Sequence, residues 1–142
     1  LAGAWVHAIG KVGCFMAGCC HGVQCKASDW GVIFRDPKSH AEPLGEALYP
    51  VQLWDSGIIF LSIILMYALL KRGKRFSGQV FLIYSLVYGV GRFFTESYRG
   101  DVERGFLFNG LLSHSQFIAI LVVLASVGLY VILRRRGLKQ SL

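Results

Sequence analysis

At 142 residues the chain is long enough for one ordinary domain, but 54% hydrophobic residues and a mean hydropathy of +0.52 argue against an ordinary soluble one. The formal net charge of +7 does not point to nucleic acid, because the fifteen basic residues sit beside apolar runs rather than among aromatics in a polar domain. Membrane protein is the class that remains.

The chain starts at Leu1 with no visible signal peptide, and the missing Met points to a part of a longer protein or to a trimmed reading frame. Its opening stretch, LAGAWVHAIGKVGCFMAG, is apolar but interrupted by Lys11 and glycines. Residues 1–22 are therefore read as a partial or re-entrant membrane helix, since irregular backbone at membrane depth is tolerated only against protein or water. Four cysteines follow one another closely at 14, 19, 20 and 25, in the spacing C-x4-CC-x4-C. The spacing is not that of a zinc ribbon, which leaves small packed residues as one account and a metal or redox site as the other.

Residues 23–50 form the only sizeable polar segment, with WGVIF as a short strand, RDPKS as a turn and PLGEALYP as an irregular connector. This is a small extracytoplasmic cap. Three apolar segments then follow, at 51–70, 78–96 and 111–133, each near the roughly 20 residues that a helix needs to cross the hydrocarbon core. The expected fold is an all-α integral membrane domain with three full transmembrane helices, the N-terminal partial helix and the cap.

Orientation follows from Lys and Arg, which favour the cytoplasm in short loops. KRGKR at 71–75 and RRRGLK at 134–139 contain no acid, whereas RGDVERG at 99–105 is nearly balanced. The two basic segments belong inside, with the C-terminus cytoplasmic, and the cap and the balanced loop belong outside.

Four polar clusters then fall at the outward ends of their segments: KVGCFMAGCCHG, YPVQLWD, GVGRFFTESYRGD and SHSQ. In the third, Arg92, Glu96 and Arg99 are spaced to form one stripe if the helix continues. Arg92 and Glu96 at i and i+4 make an ordinary local ion pair in a soluble helix. At a membrane depth such groups tend to face protein or a wet cavity, and an Arg fork suits a phosphate. Arg99 has a second account as a snorkelling side chain. Gln52 and Asp55 lie on one face at i and i+3, where a buried amide needs a partner, while Tyr49 and Trp54 fit an interfacial aromatic belt. His114 is either a general base or a structural residue.

Taken in this order, the clusters resemble the prolipoprotein diacylglyceryl transferase family of bacterial inner-membrane enzymes. GKVGCFMAGCCHG is similar to the family's glycine-rich signature, YPVQLWD to its His-Pro-x-Gln-Leu-Tyr-Glu element, GVGRFFTESYRGD to its Arg-x-x-x-Glu-x-x-Arg segment, and GLLSHSQ to the Ser-containing stretch opening its last helix. The resemblance spans residues 8 to 133 and covers the C-terminal part of a usual member.

It implies transfer of a diacylglyceryl group from phosphatidylglycerol to the lipobox cysteine of a prolipoprotein, with glycerol phosphate released. The implied catalytic residues are Arg92 and Glu96. Lys11, Arg92, Arg99, Gln52 and Gly22 are implied for the phosphate or headgroup, and Gln116 for positioning. No cofactor, metal or nucleic acid is expected; the partners are the lipid bilayer, phosphatidylglycerol and prolipoprotein signal peptides.

The chain departs from the pattern at Lys11, where the signature has arginine, at Cys14 for asparagine, at Cys19 for glutamate and at Tyr49 for histidine. The family's proposed catalytic histidine lies in an earlier helix than those matched. The competing class is a non-catalytic membrane module that binds phospholipid headgroups, or a thiol or metal site built from Cys14, Cys19, Cys20, Cys25 and His21.

Overall fold

In a computed structural model, residues 1–26, 29–73, 76–100, 106–107 and 111–140 are described. Four helices dominate: α1 (Ala2–Ala17), α2 (Val51–Arg72), α3 (Gln79–Glu96) and α4 (His114–Gln140). Two-residue strands decorate them, β1 (Val32–Ile33) with β2 (Ala47–Leu48) and β3 (Phe106–Leu107) with β4 (Leu112–Ser113), both pairs antiparallel. The architecture is helical, with each helix packed on its neighbour in the chain.

Two helices, α2 and α4, are long and apolar enough to cross a membrane. Their apolar side chains are largely turned outward: Leu61, Ile64, Ile118 and Leu124 are all more than half exposed. The core helix of a soluble protein would hide these residues, so an apolar surroundings is the solvent that suits them.

The glycines of α1 do not break it. Gly3, Gly10 and Gly13 all lie inside one uninterrupted helix of 16 residues, shorter than the roughly 20 needed for a full crossing. The stop comes at Gly18, whose φ of 73° is open to glycine, and Gly18 N–H and Cys19 N–H return to Phe15 O and Cys14 O.

Small residues set the helix spacing. Ala4 and Ala8 are buried with Ile59, Ile63 and Met66 of α2, and Ser56 Oγ donates to the Ala8 carbonyl at 3.1 Å. On α3, a Cβ added at Gly91 would lie 2.6 Å from Ile58 Cγ2, and one at Gly89 would lie 2.9 Å from Val123 Cγ2. One glycine lets α3 close on α2 and the other lets it close on α4, as in membrane bundles that pack through small residues.

The cap is tied to the helix ends by backbone. Residues 21–25 run between two partners: Gly22 N–H and Cys25 N–H donate to Tyr49 O and Ala47 O, while Val23 N–H donates to Tyr98 O and Gly100 N–H returns to His21 O. The expected strand in WGVIF is β1, and RDPKS turns as Ser39 N–H reaches Asp36 O. PLGEALYP is not irregular throughout, because its Ala47–Leu48 pairs with β1 as β2. The balanced-charge loop falls mostly outside the described residues, at 101–105, as do positions 74 and 75 of KRGKR.

Candidate functional site

Lys11 lies toward the C-terminal end of α1, Asp55 in the first turns of α2, Arg92 and Glu96 at the end of α3, and Ser113 just before α4. An up-and-down chain brings those five residues to one end of the bundle.

Asp55 is their centre. Its Oδ2 accepts from Lys11 Nζ at 2.7 Å and from Arg92 Nη1 at 3.3 Å, and its Oδ1 accepts from Thr95 Oγ1 at 2.6 Å. The second arm of the Arg92 fork meets Glu96 Oε2 at 2.7 Å, and Ser113 Oγ donates to Glu96 Oε1 at 3.1 Å. Asp55 and Glu96 have side chains only 2% exposed, whereas Lys11 and Arg92 retain 14% and 13%. The anions are thus enclosed, and the cations form the accessible rim. Each carboxylate satisfies part of a cation's donor set; an ammonium has three donors and a guanidinium five, so both retain capacity for another acceptor.

Arg92 also borders a cavity of about 210 Å3 between α3 and α4, with Tyr88, Gly89, Ser115, Ile118 and Val122 on its walls. The arrangement is a cation at the mouth of a mainly apolar groove. It suits an amphiphile with an anionic head.

The remaining residues singled out in the sequence divide into those the fold brings to this site and those it uses otherwise. Gln52 is 1% exposed and its Nε2 donates to the Cys19 carbonyl at 2.8 Å; its Oε1 has no partner among the described residues. Gly22 is buried where a Cβ would lie 2.7 Å from Tyr49 O and 2.8 Å from Val51 Cγ2, so its lack of a side chain has a packing reason. Arg99 is not on the stripe expected for it. The helix ends at Glu96, and Ser97, Tyr98 and Arg99 leave it through bonds to Phe94 O, Thr95 O and Glu96 O, which turns Arg99 into a backbone bridge with Gly22. Three-residue bonds of this kind tighten a helix end and break the periodicity that the stripe assumes.

Tyr49 and Trp54 pack with Tyr98 as a three-ring cluster, centroids 5.4 to 5.8 Å apart. Ser113 and Gln116 form a capping box on α4: Gln116 N–H donates to Ser113 Oγ and Ser113 N–H to Gln116 Oε1, each at 3.1 Å. Gln116 Nε2 also reaches Ser97 Oγ at 3.1 Å, fastening α4 to the exit of α3. His114 is exposed on the first turn.

Two features escaped the sequence. Helical spacing pairs Asp55 only with Gln52, although an acid within an apolar span is itself a signal. His7, four residues before Lys11, meets Tyr84 OH at 2.7 Å and lies 4.8 Å from the Tyr88 ring. The spacing 84, 88, 92 of the two tyrosines and Arg92 is the trace that could have found it.

Cys14, Cys19 and Cys20 have their sulfur atoms within 4.8 Å of one another. In the turn beyond α1, burial pushes the Cys19 thiol up to about 11, with hydrogen bonding to Cys14 adding to it. Cys25 belongs to the cap strip instead.

Fold and site together define a helical membrane protein that keeps a buried ion-pair network at one end of its bundle, beside an apolar groove. The model of the family described as prolipoprotein diacylglyceryl transferase matches residues 2–132, and the chain belongs to that family. It is 37% identical over 139 residues to phosphatidylglycerol–prolipoprotein diacylglyceryl transferase 2 of Clostridium perfringens, covering 97% of this chain and 51% of the relative. It is 36% identical to the transferase of Clostridium tetani over 96% of this chain and 51% of that one, and 33% identical to the Clostridioides difficile transferase over 92% and 47%. The chain thus spans about half the length of these curated relatives. No solved structure matches it.

Proposed function

We propose that this chain forms the phosphate-holding part of a phosphatidylglycerol:prolipoprotein diacylglyceryl transferase of the bacterial cytoplasmic membrane. It acts with α2, α3 and α4 across the bilayer, α1 partly inserted, and the ion-pair end and cap on the extracytoplasmic side. The basic segments at 71–75 and 134–139 then face the cytoplasm, as positive charge prefers.

One observation carries this reading. Lys11 Nζ and Arg92 Nη1 share Asp55 Oδ2, at 2.7 and 3.3 Å, and Arg92 also lines the α3–α4 groove. In the transfer, the substrate thiolate attacks the glyceryl CH2 next to the phosphate ester. The C–S bond forms, the C–O bond breaks, and its electron pair leaves on the phosphate of glycerol phosphate. Negative charge builds on that oxygen, so two preorganised cations in a site of restricted water lower the barrier.

Arg92 and Lys11 bind the phosphate, and Glu96 fixes the plane of the Arg92 fork. Asp55 is a positioning residue that converges the two cations. Gln52 holds the Cys19 turn against α2, Gly22 permits the cap to close over it, and Arg99 stands at the exit of α3 as a further cation for the headgroup. Acyl chains lie along the apolar groove, and prolipoprotein signal peptides supply the thiol. The Lys11 ammonium keeps the charge of the family's arginine but not its paired hydrogen bonds, so Arg92 becomes the principal phosphate ligand.

The test is rescue of a strain depleted of its own transferase by the full-length gene and by its Arg92→Ala variant. The proposal expects rescue by the first and failure of the second at equal membrane expression. Failure of the full-length gene removes the transferase reading; if the protein still binds phosphatidylglycerol, a headgroup-binding module replaces it. Equal rescue by both removes the role given to Arg92.

A further inference from the structure

We propose that the turn closing α1 is a three-thiolate cation site, in which Cys14, Cys19 and Cys20 hold a thiophilic d10 cation of the Zn2+ type and leave its fourth position to the substrate thiol. The substrate half of this inference rests on the transferase reading; the cation half does not.

The three sulfur atoms lie within 4.8 Å of one another. Zinc–thiolate bonds of about 2.3 Å in a tetrahedron put sulfurs about 3.8 Å apart, so closing on a cation takes about 1 Å of side-chain movement. None of the three is buried to the degree expected of a cysteine used as packing material; all have intermediate exposure.

The backbone gathers them. Gly18 reverses the chain in the left-handed region, and Cys19 N–H bonds back to Cys14 O at 3.1 Å, which lays Cys19 over the last turn of α1. Cys20 then takes a φ of 60°, a conformation that side chains other than glycine or asparagine rarely adopt. The turn is held from outside: Gln52 Nε2 donates to Cys19 O, His21 Nδ1–H donates to Gly22 O at 3.0 Å, and Glu42 N–H donates to His21 Nε2 at 3.2 Å. Strain at Cys20 that glycine would relieve is the mark of a side chain required there.

Two other donors drop out for different reasons. Both ring nitrogens of His21 are engaged by backbone, and the Cys25 sulfur is not in the group whose ligand atoms lie within 4.8 Å of one another. Among the described residues three sulfurs therefore remain. Closed structural zinc sites have four protein ligands, whereas three ligands with an open position are the pattern of sites that act on a bound molecule.

The chemistry fits the transfer. Three thiols release three protons to bind the cation, and an incoming cysteine thiol displaces water and releases a fourth, because coordination to such a cation deprotonates thiols. The coordinated thiolate keeps its nucleophilic pair, spends it on the glyceryl CH2, and the phosphate leaves with the C–O pair toward Lys11 and Arg92. Lys11 stands one helical turn before Cys14, so the nucleophile and the leaving group are served from one side of α1.

The test uses the reduced, chelator-treated chain in detergent, titrated with Cd2+ as the spectroscopic probe and then with Zn2+ as competitor. One equivalent of Cd2+ giving thiolate charge-transfer absorbance, displaced by Zn2+ and kept in Cys25→Ser, is expected. The triple variant Cys14→Ser/Cys19→Ser/Cys20→Ser loses it. Cys20→Gly relieves the backbone strain and removes a ligand, so it keeps its helical circular dichroism while cation affinity falls by more than the roughly 10- to 100-fold that altering an outer-shell partner costs. Absorbance that is absent, or that persists in the triple variant, overturns the site. A disulfide among the three in protein isolated without reductant overturns it as well. One-to-one binding in a protein whose full-length gene does not rescue the transferase-depleted cells leaves the cation site standing and removes the transferase reading; rescue of those cells without cation binding does the reverse.

Discussion

The two ends of the helical bundle are held by different forces. At one end Lys11, Asp55, Arg92 and Glu96 link α1, α2 and α3 through ion pairs, and a hydrogen bond donated by Ser113 Oγ to Glu96 adds the entrance of α4. Toward the other end, α3 and α4 are joined by a neutral bond from Gln79 Nε2 to Tyr130 OH at 3.2 Å and by the Phe76–Tyr130 ring pair, centroids 5.4 Å apart. Neutral contacts and small-residue packing suffice to assemble helices. A buried ionic network costs desolvation that an apolar core would not, so its place among the described residues at the Asp55 end is better explained by a ligand than by stability.

That contrast orders the consequences of mutation. Asp55→Asn leaves Lys11 and Arg92 side by side without their shared anion, and breaking a buried pair in this way costs about 3–5 kcal/mol, read as unfolding in mixed micelles, together with loss of transfer. Gly91→Ala forces a methyl against Ile58 between the two ends and costs about 1–3 kcal/mol, with partial recovery in the Gly91→Ala/Ile58→Val double variant. Ser113→Ala removes the α4 cap and a donor to Glu96, for a loss of about 1 kcal/mol and a measurable fall in activity. Tyr130→Phe removes only the neutral bond, costs about 0.5–1.5 kcal/mol and leaves transfer unchanged. An equal activity loss from Tyr130→Phe and Ser113→Ala would erase the distinction between the ends.

The helices were legible because apolar length is a local property. Arg92 and Glu96 were legible because four residues close a helical turn. Asp55 was not recognised as the centre, since its partners lie 44 and 37 residues away and nothing local distinguishes a hub from a buried acid. The stripe failed at Arg99 because periodicity does not reveal where a helix stops. SHSQ carries a capping pattern, Ser three residues before Gln, beside a histidine that suggests chemistry; the fold uses its Ser113 both to cap α4 and to reach Glu96. The left-handed Cys20 had no signal at all, since side-chain identity there argues against that conformation.

The central claim is that Arg92 and Lys11, converged by Asp55, hold the phosphate of a phospholipid. Its most direct measurement compares binding of phosphatidylglycerol and of diacylglycerol, the same apolar body without the phosphate, to the wild-type protein and to Arg92→Ala by native mass spectrometry from neutral detergent. The account predicts that the wild type prefers phosphatidylglycerol and that Arg92→Ala loses about tenfold or more of that preference, as a charge-assisted bond worth about 1.5–3 kcal/mol implies. An undiminished preference in a folded Arg92→Ala protein would contradict it.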